Sequence, residues 1–236
     1  MGANLKRFYD EADVEAVEDG FRVVLDARPV RTPMGAPLTV VHEGLACAMA
    51  DEWDAQETEV VFPAMPVTRI VGTGIDLVPK DVGGYVAQAL AYAETDLLCY
   101  RASEPHDLVA RQHDVWDPLL KWAEDRFGVV LKVTEGVLPV TQPPETMGPL
   151  KASIASYGAI RLSALNSAVA ACGSLIVGLA LAEGRVSAEE AFEIAELESG
   201  YQIDRWGEDI EATKRRTRLR ADISAAAAVL EATREV

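Results

Sequence analysis

His113, Asp114 and Asp117 are close enough in sequence to share a turn of helix. An imidazole with two carboxylates can hold a divalent metal. Three ligands of mixed type on one stretch fall short of a closed site, and a polar helix face accounts for them equally well. Carboxylates are abundant enough for a general acid–base pair, but no pattern locates one; Asp51, Glu52 and Asp54 are close in sequence. They flank Trp53 and read as the polar side of its helix. His42 and His106 stand alone at expected helix starts. Cys47, Cys99 and Cys172 are scattered, with no Cys-x-x-Cys pair, and read as buried thiols in a reducing compartment. Gly72-Thr73-Gly74 lacks the third glycine of a dinucleotide loop; two small residues at a tight packing point explain it. Neither Gly-x-Ser-x-Gly nor His-Glu-x-x-His occurs. No catalytic residue, metal ligand or cofactor is assigned from these patterns, although a soluble enzyme with an unrecognised carboxylate or metal site stays open as the alternative reading.

The charge distribution says more about partners than about chemistry. The 236 residues carry a net charge of −16, with 49% hydrophobic and 25% charged residues. That composition is ordinary for a globular protein. The charge disfavours nucleic acid and anionic membranes and favours basic partners. From Glu189 to Glu211 the chain is strongly acidic, with Arg205 as its one base. Lys214, Arg215, Arg216, Arg218 and Arg220 then follow with no acid among them. Without interleaved aromatics this basic run reads as a solvated helix face that partly neutralises the acidic segment before it. The N-terminal stretch turns acidic at once and has neither an apolar signal core nor an Arg/Ser-rich amphipathic pattern. A cytoplasmic protein, or a mature form whose presequence has been removed, is expected, with the bacterial cytoplasm favoured.

These residues must be positioned by two kinds of element. Val14–Val17 and Phe21–Leu25 flank Asp19-Gly20, a two-residue hairpin signal. A second turn is expected at Pro33-Met34-Gly35, before the run Leu38–Val41. Leu45, Met49 and Trp53 recur on one helical stripe between His42 and Gln56. Val60–Phe62 reads as extended. Val67, Ile70, Val71 and Ile75 have helical spacing, weakened by Gly72 and Gly74. Composition changes at Pro79. The expected organisation is α+β: a small β-rich N-terminal domain over residues 1–79, with one or two helices, and a larger all-helical domain over 80–236.

In the second part, helices are expected over Val82–Thr95, His106–Phe127 and Glu145–Tyr157, with a short strand at Val129–Val133 and a loop at 136–144. Asp117-Pro118 either interrupts the second helix or, with Asp as cap and Pro at the first position, starts a new one. Ser187 and Glu190 have capping-box spacing. An alanine-rich helix closes the chain. Leu162 to Ala182 carries no charge, and Leu162, Leu165, Val169, Cys172, Ile176 and Leu179 fall on one face. A helix without a polar face is buried or in lipid. Its length reaches the membrane threshold. Ser163, Asn166, Ser167, Gly173 and Ser174 dilute its hydrophobicity, and only Arg161 and Arg185 flank it. It is expected to be a central apolar helix of the C-terminal domain, with no stable membrane insertion.

Several longer strings carry a family resemblance. Lys6-Arg7-Phe8-Tyr9, Leu25-Asp26-Ala27-Arg28-Pro29-Val30-Arg31-Thr32-Pro33, Glu52-Trp53-Asp54-Ala55-Gln56 and Met65-Pro66-Val67-Thr68-Arg69 occur in order. Asp96-Leu97-Leu98-Cys99-Tyr100-Arg101-Ala102, Trp116-Asp117-Pro118, Gly173-Ser174-Leu175, Glu183-Gly184-Arg185 and Trp206-Gly207-Glu208-Asp209 follow. Together they resemble the ATP synthase assembly chaperones specific for the α subunit of F1, in a bacterial member, over nearly the whole chain. Ala27 departs from a common glycine before Arg-Pro. Ser199-Gly200 departs from a more helix-favouring acidic pair, which bears on the continuity of the helix running into Trp206.

The resemblance implies a β-containing N-terminal domain joined to a helical one, no catalysis and no cofactor. It also implies binding to the unassembled F1 α subunit, shielding the surface that later meets the β subunit. Such a protein needs apolar anchors ringed by charge. Trp206, Glu208, Asp209 and Glu198, in the acidic stretch, are the expected partner-binding residues, with a structural cap as the competing role for Asp209. Trp53 is expected in the core. Arg69 and Asp76 are expected to pair at the domain junction, and a monomer is the expected state.

Overall fold

The computed structural model describes residues 5–136, 140–207 and 209–234. Strand β1 (Leu5–Lys6) leads to β2 (Ala12–Val17), β3 (Gly20–Leu25), β4 (Arg28–Pro29) and β5 (Thr39–Val40). Helix α1 (Glu43–Asp54), strand β6 (Glu59–Val60) and helix α2 (Pro66–Asp76) complete this part. The sheet is antiparallel in the order β2-β3-β4, with β5 on the other end of β3, while β1 pairs separately with β6. Val23, Val24 and Leu25 are buried, and with Leu38 and Val40 they meet the apolar stripe of α1: Leu45, Met49 and Trp53.

The hairpin register differs by one residue from expectation. Val17 pairs with Gly20, so Glu18-Asp19 make the turn and Gly20, at φ 132°, is the first paired residue. An added Cβ on Gly20 would fall against the Val40 carbonyl, which fixes glycine there by close approach of β5. The turn with two positive φ values is the next one, Asp26-Ala27 at φ 47° and 63°. Asp26 holds it shut by accepting from the backbone of Asp10 and Glu11, both at 3.0 Å. These bonds hold its carboxyl below the usual carboxylate range. The Pro33-Met34-Gly35 turn forms as expected, closed by Gly35 N to Thr32 O at 2.9 Å.

The helical part runs α3 (Val82–Ala91), strand β7 (Tyr100–Arg101), α4 (His106–Phe127), strand β8 (Thr134–Glu135), α5 (Pro144–Ala155), α6 (Ala159–Cys172), α7 (Leu175–Ala182), α8 (Ala188–Ala195), α9 (Leu197–Trp206) and α10 (Ile210–Ala232). The strand expected at Val129–Val133 is displaced: β8 lies just beyond it and pairs in parallel with β7. Pro118 lies inside α4, which continues through it without a new start at Asp117. The expected loop at 136–144 includes residues 137–139, which lie outside the described residues.

The expected single apolar helix over Leu162–Ala182 is instead two helices. Gly173 adopts the left-handed conformation, φ 63°, and ends α6; Ser174 turns extended and caps α7, accepting from Val177 N at 3.0 Å. Glycine at the C-terminal cap and serine at the next N-cap are favoured residues for such a break. Both halves are buried. Asp96, fully buried, accepts from Ser174 Oγ at 2.6 Å and Ile176 N at 3.1 Å, so a carboxylate from the preceding segment also stabilises the start of α7. No helix among the described residues is long and apolar enough to cross a membrane.

Helix α2 joins the two parts. Its N-terminus is capped from α1: Glu52 accepts from Val67 N and Thr68 N, both at 2.7 Å. Glu52 is therefore not part of a solvated helix side; burial raises its pKa against those two bonds. The other side of α2 meets α6, where Ser163 Oγ donates to Ile70 O at 2.8 Å. An added Cβ on Gly74 would lie 2.6 Å from Ile160 Cα, so glycine there permits the helix crossing. The same test at Gly72 meets nothing within 4 Å, so tight packing does not explain that glycine. The expected Arg69–Asp76 pair does not form. Asp76 instead accepts from Thr32 Oγ1 at 2.7 Å and Met34 N at 3.0 Å, pinning the 32–35 turn onto α2.

Candidate partner-binding surface

Helix α9 ends at Trp206, Gly207 turns the chain at φ 81°, and α10 begins at Ile210. Gly200 does not interrupt α9. Trp206 and Ile210, on the two sides of this turn, are 71% and 73% exposed. Among the described large apolar side chains only Val41, at 72%, is comparable. Asp209 caps α10: its Oδ1 accepts from Ala212 N at 2.8 Å, and its carbonyl accepts from Thr213 Oγ1 at 2.8 Å. The capping role weighed for Asp209 is therefore real, and it leaves the residue exposed at the corner. Trp206 and Asp209 line one shallow cavity of about 320 Å³ with Ile203, Gln202, Arg215 and Arg216.

The corner rests on an ionic base. Glu196, buried at the break between α8 and α9, receives Arg215 through two bonds, 2.9 and 2.6 Å, and Arg216 at 3.2 Å. Arg220 reaches Glu189 at 2.6 and 2.7 Å and lies 4.1 Å from the Phe192 ring centre. The basic run thus neutralises the acidic segment, as its order in the chain implies. Two-point arginine–carboxylate contacts hold orientation better than single ones. On the other side of α9, Tyr201 donates to Asp107 at 2.7 Å and Arg205 reaches the same carboxylate at 2.5 Å. The Tyr201 hydroxyl and then Arg205 hold Asp107 below the usual carboxylate range.

The four expected contact residues are not gathered equally. Trp206 and Asp209 are together. Glu198 is exposed but faces α4, where Gln112 donates to it at 2.6 Å while accepting from Ala102 N at 2.9 Å. Glu208 lies outside the described residues. Ile210 was missed; an isoleucine four positions after a tryptophan, across a glycine, is the pattern that could have marked it.

The metal candidate dissolves into structural contacts. His113 Nδ1 lies 2.8 Å from Asp117 Oδ2, while Asp117 Oδ1 is bound by buried Arg101 at 2.8 Å. Among the described residues no group of three His, Cys, Asp or Glu side chains is placed to hold a metal. Cys99 and Cys172 are buried, each thiol pushed up to about 12 by burial, whereas Cys47 is exposed.

Residues 6–124 match the family described as ATP12 chaperone protein. The protein atp12 of Schizosaccharomyces pombe, a mitochondrial protein, is 27% identical over 216 residues, covering 86% of this chain and 74% of its own length. The fold is similar to the crystal structure of Atp12 from Paracoccus denitrificans, with a TM-score of 0.86 and 37% identity, covering 98% of this chain and 99% of that one. It is also similar to a solved protein of Agrobacterium tumefaciens, with a TM-score of 0.89 and 42% identity, over 97% of this chain and 86% of that one. With the family match spanning half the chain and the fold shared nearly end to end, this chain belongs to the ATP12 family of ATP synthase assembly chaperones.

Proposed function

We propose that the protein binds the unassembled F1 α subunit and shields the surface that later meets the β subunit, using the α9–α10 corner as its anchor. The observation that carries the site is the exposure of Trp206 and Ile210 on a corner held by buried Glu196 and its arginines. A solvated tryptophan beside a buried, ion-paired carboxylate is a suitable hot-spot anchor, since tryptophan is enriched among such residues. Glu208, Asp209 and, more peripherally, Glu198 would then set orientation and association rate as a charged rim. The α subunit as partner comes from the family resemblance, and the corner from its exposure. No observation among the described residues favours the enzyme alternative.

Light scattering of isolated α subunit, without ATP, tests this. Wild-type chain in molar excess should suppress aggregation. Trp206→Ala with Ile210→Ala should weaken binding by on the order of 2 kcal/mol or more. Glu208→Lys should cost a similar amount if that carboxylate touches the client. Absence of protection by the wild type sinks the α-subunit reading. Full protection by the folded double variant leaves that reading and removes the corner.

A further inference from the structure

Helix α2 separates two cavities, and both are lined by Arg69 and Thr73, one turn apart on the same face. The first is an apolar pocket of about 490 Å³, walled by Val30, Pro33, Leu38, Trp53, Phe62 and Leu77. Gly72 also lines it, and a Cβ there would meet nothing. A glycine in a helix interior costs stability relative to alanine. Here no close packing calls for it, and its effect is to leave the pocket open. The second cavity, about 530 Å³, is polar and includes Tyr85, Gln88, Asn166, Ser167 and Asp222. Asn166 is buried; its amide donates to Tyr85 O at 3.1 Å and Leu162 O at 3.0 Å, and its Oδ1 has no partner. The indole Nε1 of Trp53 is likewise buried without an acceptor.

The charges around the apolar pocket are one-sided. The Arg69 side chain is exposed, with no hydrogen bond or close ion pair among the described residues; the Glu52 carboxylate, on which it acts, already accepts from Val67 N and Thr68 N. Arg31 also lines the pocket, with one bond, to Gly35 O at 2.8 Å, and Lys80 Nζ stands 2.8 Å from the Met34 sulfur at its rim. The acid in its lining, Asp76, already has both oxygens engaged by Thr32 and Met34. In a chain of net charge −16, a pocket edged by cations selects for an anion.

We propose that these cavities form a peptide-binding site, distinct from the α9–α10 corner, for a segment carrying an apolar side chain beside a carboxylate-bearing one. The apolar side chain fills the pocket under Trp53 and Phe62. The carboxylate pairs with the Arg69 guanidinium, a geometry suited to two parallel bonds. The backbone then continues across Thr73 into the polar cavity, where Gln88 and Ser167 line its path. A peptide fits this arrangement better than a compact apolar acid because the site is two adjoining cavities with a shared wall. The proposal makes no use of the corner, and loss of α-subunit binding there would leave it standing.

The test uses the full chain and capped peptides containing Phe-Glu, Phe-Gln or Ser-Glu, followed by the Trp53 indole N–H resonance in NMR titrations. Phe-Glu is expected to shift that resonance saturably, with Phe-Gln and Ser-Glu at least fivefold weaker. Arg69→Gln should bring Phe-Glu down to the level of Phe-Gln. Gly72→Leu should plug the pocket and abolish the shift while leaving the unfolding midpoint unchanged or higher. The proposal is overturned by no shift at millimolar Phe-Glu, by equal binding of Phe-Glu and Phe-Gln, or by phenylacetate binding as well as the peptide. It also fails if folded Gly72→Leu binds like wild type. Should Gly72→Leu not fold, the Arg69→Gln comparison, made at an exposed residue, decides alone.

Discussion

Asp96 shows how far a single buried carboxyl can shape the stability of this fold. Burial pushes its pKa from 3.8 to about 6, against four hydrogen bonds that favour the charged form, the first of them from Ser174. Between those pH values the folded chain keeps a proton that the unfolded chain has released. Its contribution is therefore fully present below about pH 4, declines as pH rises through about 6, and is level above that. The total swing is on the order of 3 kcal/mol. Asp96→Asn should remove that slope: denaturant titrations from pH 4 to 7 should show wild type losing about that much relative to the variant, and parallel curves would refute the assignment. Ala27 offers a second residue-scale prediction. It sits at φ 63° in a two-residue turn, a conformation that costs a side chain roughly 1–2 kcal/mol. Ala27→Gly, less the added freedom of the unfolded chain, should stabilise by up to about 1 kcal/mol in urea unfolding. The departure of Ala27 from the family pattern was visible in the sequence. Its consequence was not, because nothing in the residue types marks Asp26-Ala27 as a turn with two positive φ values. Asp96 opens one of the family strings, but its role was not legible, since an aspartate before a Leu-Leu pair does not reveal which helix it will cap.

At the scale of elements, the apolar stripes were the readable part. Leu45, Met49 and Trp53 are buried on α1 as their spacing required, and Ser187 and Glu190 close a capping box at α8. Periodicity failed where one residue outweighed a run. Gly173 split an otherwise helical apolar stretch because its left-handed backbone satisfies the end of α6 and Ser174 restarts the next turn. The glycines of α2 and α9 separate by sign. Gly72→Ala and Gly200→Ala add a Cβ into open space and should each stabilise by about 1 kcal/mol. Gly74→Ala presses on the Ile160 backbone and should destabilise by roughly 1–3 kcal/mol. Thermal melts of the three variants check the order, and a stabilised Gly74→Ala would show that the α2–α6 crossing yields. The corner was legible through Trp206 and the acids around it. Glu196, the residue that holds it, was not distinguishable from its acidic neighbours, since only folding shows which of them faces Arg215 and Arg216.

For the whole molecule, the thiols report accessibility directly. A disulfide-exchange reagent should titrate Cys47 rapidly in the folded protein and reach Cys99 and Cys172 only on unfolding; rapid reaction of all three would mean that α7 and its neighbours open readily. The small β-rich part and the larger helical part were expected from composition, but not the degree to which α2 belongs to both. Glu52 holds one end of it, while Ser163, in contact across 93 residues of chain, holds its side. Contacts of such long sequence separation slow folding, because the intervening loop must be closed before they form. Until α6 arrives, the flank of α2 at Ile70 and Gly74 lacks the partner that covers it. Refolding should accordingly be prone to self-association at high protein concentration during that interval. An assembly chaperone thus carries, along its own bridging helix, an apolar flank that must be covered before it is safe, which is the condition it is proposed to meet for another subunit.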